Sequence, residues 1–115
     1  MIRPLPLEKV LGGRELVPQA LIGLPIWDLA KRLHAELEKG SDDFDSYSGA
    51  GAILDDQVPF AVMHYSGHPK DTSTIYLEFD LKETDVISKI ISMIASELKL
   101  PVGAIKWQRK DGLKF

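Results

Sequence analysis

Hydrophobic positions change their spacing twice along this chain of 115 residues, and the changes mark out its elements. From Ile26 the apolar residues fall three and four apart (Ile26, Leu29, Ala30, Leu33, Leu37), while Asp28, Lys31, Arg32, Glu36 and Glu38 lie largely on the opposite side. That spacing predicts an amphipathic helix. Pro25 suits its first turn, and Gly40 sits where a C-terminal capping glycine belongs.

Between Gly49 and Asp80 the pattern becomes strand-like, with runs of β-branched and aromatic residues separated by Asp55, Asp56 and Gln57 and by residues 66 to 71. Three consecutive strands are predicted. In the second, Val58 to Tyr65, Phe60, Val62 and His64 alternate with Ala61, Met63 and Tyr65; apolar groups on both sides mark a central strand. The third, Ser73 to Phe79, sets Ile75, Leu77 and Phe79 against Thr74, Tyr76 and Glu78, as a half-exposed strand does.

Near Thr84 the period returns to 3.6. Thr84 or Asp85 caps a second helix, in which Val86, Ile87, Ile90, Ile91, Ile94, Ala95 and Leu98 make a broad apolar stripe. Isoleucine is a modest helix former, so packing against the sheet must stabilise this segment. Pro101 ends it, and Ala104 to Arg109 reads as a fourth short strand that directs Ile105 and Trp107 inward. The order α-β-β-β-α-β predicts an α+β fold, a two-layer sandwich with a mainly antiparallel sheet and the helices packed on one face.

Residues 1 to 25 follow neither period. Pro4, Pro6, Pro18 and Pro25, with Gly12 and Gly13, interrupt a series of apolar residues, so a long regular element is not expected beyond a short strand around Glu15 to Val17. The apolar content is too high for a disordered tail. This proline-interrupted arm is expected to pack across its own domain or onto a second copy of the chain, which would make a homo-oligomer.

Length and a 44% hydrophobic content fit a single domain, 1 to 115, with a modest core. The chain has no cysteine, which removes disulfides, thiolate nucleophiles and Cys-based zinc sites and fits a reducing compartment. No run approaches the ~20 apolar residues of a membrane span. The N-terminus MIRPLPLEKV is broken by prolines and charges where a signal peptide would be apolar. A cytoplasmic protein with no membrane partner is expected.

The net charge of -3 hides an uneven distribution. Residues 41 to 85 hold ten acids against Lys70 and Lys82, a balance of -8, whereas residues 99 to 115 hold five bases against Asp111, a balance of +4. Such a contrast can steer a charged partner, although Asp is also favoured in turns for its local hydrogen bonds.

Chemical motifs are sparse. His64 and His68 could share a metal, but no third ligand accompanies them, and no metal or other cofactor is expected. Asp80 and Lys82, with Asp55 or Asp56 upstream, have the residue types of a metal-dependent nuclease, yet Asp80 and Lys82 fall where a strand ends and a helix begins. An EF-hand register started at Asp43 puts Ser48 where glycine is required and Leu54 where the bidentate glutamate belongs. Gly49 to Ala52 runs into a strand and not a helix, so it is no dinucleotide loop. The basic tail with Trp107 and Phe115 could meet nucleic acid, but Trp107 is expected inward and the chain is acidic, with pI near 5.5. Binding is therefore favoured over catalysis: a protein-binding or regulatory module in which Asp42, Asp43, Asp45, Asp55, Asp56 and Asp71 steer a protein partner with a basic surface while Phe44 and Tyr47 dock. The catalytic alternative is a small metal-dependent enzyme using His64 and His68 or Asp55, Asp80 and Lys82.

Overall fold

The structure, a computed structural model, describes residues 1–13, 15–41, 45–78 and 84–108. Among them the elements run β1 (Ile2–Leu5), α1 (Leu7–Leu11), β2 (Leu16–Ile22), α2 (Ile26–Arg32), β3 (Glu38–Ser41), β4 (Ser46–Leu54), β5 (Val58–Tyr65), β6 (Ser73–Glu78), α3 (Thr84–Glu97) and β7 (Ile105–Gln108). The fold is α+β. All seven strands belong to one sheet with antiparallel pairings, in the order β1-β4-β5-β6-β2-β7. The free edge of β4 is shared: β3 lies beside its first half and β1 beside its second.

The main core lies on one face of the sheet. Ile87, Ile90, Ile91 and Ile94 of α3, with Ile26, Leu29 and Ala30 of α2, pack over Ala50, Ala52, Phe60, Val62, Ile75 and Leu77. The isoleucine stripe is thus covered, as helix α3 requires. Arg32 ties the two helices together: its guanidinium donates to the carbonyls of Leu98 at 3.0 Å and Lys99 at 2.9 Å, and to Asp28 at 2.8 Å.

Helices on both faces replace the expected two layers with helices on one. Leu7 and Val10 of α1 pack with Ala61 and Met63, which alternate with Phe60 and Val62 and so face away from α2 and α3. The Leu7 amide donates to the Glu38 carboxylate at 2.7 Å, which satisfies a helix-start donor that Pro6 cannot cap.

The first 25 residues are more regular than their prolines imply. Pro4 occupies an edge strand, where its missing N–H does no harm, and Pro18 precedes a bulge at Gln19 in β2, which runs between β6 and β7. The apolar residues of this segment are spent inside the chain's own core, among them Leu7, Val10, Ala20 and Ile22. The helix from Ile26 stops at Arg32, short of Gly40. His34 takes a positive φ of 57° just past the cap, and amides of His34 and Ala35 return to carbonyls of Lys31 and Ala30, so a histidine closes the helix that Gly40 was expected to close. Gly40 instead sits in β3 under the Tyr47 ring. In β7 a bulge leaves Ile105 against the core but pairs Trp107 with Leu21, on the sheet's other face. No helix among the described residues is long and apolar enough to cross a membrane.

Candidate functional site

Strands β4 and β5 are longer than the helices that cover them, and the sheet face changes character where the cover ends. Even-numbered positions of both strands point toward α2 and α3. Followed back along β4 they read Leu54, Ala52 and Ala50, all in the core, and then Ser48 and Ser46; along β5 they read Phe60 and Val62, then His64. Strand β3 continues the polar surface. Lys39 is paired with Ser48, and Ser48 with His64, so Lys39, Ser48 and His64 form one row across three adjacent strands. Residues directly opposed in this way have Cβ atoms roughly 5 Å apart.

This row forms the floor of an open groove of about 620 Å³ whose further walls include Ser41, Ser66 and Lys70. Serine hydroxyls and lysine ammonium groups are hydrogen-bond donors, so the groove presents positive and donor character. Among the described residues neither Lys39 nor Lys70 forms an ion pair.

Lys70 is brought there by a fixed connection between β5 and β6. The Asp45 carboxylate accepts from the amides of Ser46 and Gly67, both at 2.8 Å, and from the Ser66 hydroxyl at 3.1 Å. His64 Nε2 donates to the carbonyls of Pro69 at 3.0 Å and His68 at 3.2 Å, and the Thr72 hydroxyl donates to Pro69 at 2.8 Å. Carbonyl oxygens only accept, so the proton resides on Nε2 of His64. No hydrogen bond joins Ser48 to His64 among the described residues, and the histidine acts as a brace for the loop.

Of the residues expected to form an acidic docking surface, the described ones lie at both ends of β4. Asp42, Asp43 and Phe44 lie outside the described residues, as do Asp80, Lys82 and the tail from 109. Asp45 is occupied in the loop brace. Tyr47 is half-buried, its ring edge-on to Tyr65 at 5.7 Å between centroids. Asp71 is exposed in the connection between β5 and β6.

Asp55 and Asp56 stand at the far end of β4, roughly 30 Å away for a strand of nine residues. Both have positive φ, 52° and 56°, as the central pair of a type I′ turn does. Asp56 pairs with Arg3, and Asp55 with the amino group of Met1, whose pKa it raises chiefly by that hydrogen bond. The carboxylates at the two ends of β4 therefore do not make one surface. His64 and His68 meet through a ring and a backbone carbonyl, and no group of three or more His, Asp or Glu among the described residues is placed to hold a metal ion.

Lys39, Ser48 and Lys70 escaped the sequence reading. Lys39 falls just before the glycine expected to cap the first helix, and only recognition of β3 as a strand aligns it with Ser48; Ser46 and Ser48, which precede the apolar part of β4, are the available signal.

No protein-family model matches this chain, and no curated protein and no solved structure matches it either.

Proposed function

We propose that this chain is a non-catalytic binding module that takes a small anionic ligand in the groove floored by Lys39, Ser48 and His64. The observation that carries the proposal is the alignment of those residues in a row, beside Lys70 and with neither lysine engaged elsewhere among the described residues. Lysine charge and short hydroxyl donors on a sheet are what an anion needs in order to be held without deep burial. The size supports a small ligand, since sites for such molecules commonly measure about 300–1,000 Å³. A protein partner with a basic surface would have to use the carboxylates at the two ends of β4 separately, and the groove replaces it here. A cytoplasmic location, consistent with the lack of cysteine, belongs to the same proposal.

Calorimetric titration with inorganic phosphate and with citrate tests this. Saturable heat with either anion, lost in the Lys39→Ala/Lys70→Ala double variant at unchanged melting temperature, is the expected result. The Asp42→Asn/Asp43→Asn variant separates the two readings: anion binding should persist or strengthen in it. No anion heat from the native protein, together with capture of a basic peptide that this variant abolishes, would return the acidic surface to first place.

A further inference from the structure

We infer that the ligand of this groove is a phosphate monoester, an inference that rests on the anion-binding reading and narrows it. Charge comes first. A phosphate monoester carries about -1.5 to -2 at pH 7 and three strong acceptor oxygens, whereas a carboxylate or a sulfate ester carries one charge. Lys39 and Lys70 match the dianion, and the hydroxyls of Ser41, Ser46 and Ser48 add a donor for each of three acceptor oxygens, the Ser66 hydroxyl being committed to Asp45 and the Ser46 carbonyl. The Asp45 carboxylate keeps its negative charge, but two amides and the Ser66 hydroxyl direct its oxygens to the loop.

Pre-organisation is the second reason. The backbone of the loop that bears Lys70 is held by Asp45, His64 and Thr72, so the ordering that binding requires falls on the two lysine side chains and not on the loop.

The test compares phenyl phosphate, phenyl sulfate and benzoate by calorimetry at one ionic strength and pH 7.5. Phenyl phosphate should bind about tenfold or more tightly than either monoanion, the worth of one additional charge-assisted contact. Lys39→Ala and Lys70→Ala should each weaken phenyl phosphate by a similar factor without lowering the melting temperature. Glucose 6-phosphate and a phosphoserine peptide distinguish a free metabolite from a modified protein as the source, and tighter binding of either than of inorganic phosphate supports the inference. Equal affinity for the three phenyl ligands overturns it while leaving an anion site in place. Absence of binding by all three removes the anion site itself.

Discussion

A β-carbon built on Gly51 would stand 2.6 Å from Cγ2 of Val10 and 2.6 Å from the carbonyl oxygen of Leu5. Gly51 is therefore the floor on which α1 rests, and Gly49 continues it, since a β-carbon there would come within 2.9 Å of the Val62 carbonyl. Ala50 and Ala52, pointing the other way, are fully buried beneath the opposite helices. The small residues at 49 to 52 thus let backbone layers approach from both sides of β4.

Gly51→Ala should destabilise the fold by about 1–3 kcal/mol, the usual cost of overpacking, because a backbone oxygen cannot swing aside as a side chain can. Urea denaturation would measure it. A change below about 0.5 kcal/mol, the range of surface substitutions, would show that α1 is free to lift away.

Gln19 should respond in the opposite sense. It is 1% exposed, it sits in the bulge of β2, and neither end of its side-chain amide has a hydrogen-bond partner among the described residues. An unsatisfied buried polar group costs about 1–3 kcal/mol, so Gln19→Leu should raise stability by an amount in that range. A fall in the denaturation midpoint would mean that the amide is satisfied in solution, for instance by a buried water.

The central elements were legible in the sequence because their side chains alternate without interruption. Strand β5 and the turn at 55 to 57 stand where they were expected, and α3 begins at Thr84 with its isoleucines turned to the sheet. Elements whose making depends on distant partners were not legible. Pro18 argues against an interior strand unless a bulge follows it, and nothing local announces that one does. Helix α2 ends at a histidine in a left-handed conformation, so the glycine signal at Gly40 misplaced the helix end and concealed β3. With β3 unseen, Lys39 could not be aligned with Ser48; among the described Asp residues, Asp45 and Asp55 fall at opposite ends of β4.

Arg32 offers a check on how the helices are joined. It is 28% exposed, and it closes two carbonyls at the end of α3 that would otherwise lack intrahelical partners. Arg32→Met keeps the apolar stem but removes the donors, and should cost about 2 kcal/mol, as hydrogen bonds from a charged group typically contribute 1.5–3. Arg32→Lys should recover only part of this, since one ammonium cannot reproduce the fork. Full recovery by lysine would reduce the contact to simple charge attraction.

Asp45 is expected to act on the loop and not on docking. Asp45→Ala should speed hydrogen exchange at Gly67 by at least tenfold, given a lost charge-assisted bond of about 1.5–3 kcal/mol, while Val62 and Ile75 in the core remain protected. Unaltered exchange at Gly67 would place the hold on the loop elsewhere.

The most direct measurement is an amide NMR titration of the uniformly labelled protein with inorganic phosphate at constant ionic strength. Saturable shifts should gather at Lys39, Ser48, His64 and Lys70, and leave Asp55 and Asp56 at the far end of β4 unmoved. Shifts confined to that far end, or none that saturate anywhere, would contradict the assignment of the groove as the binding site.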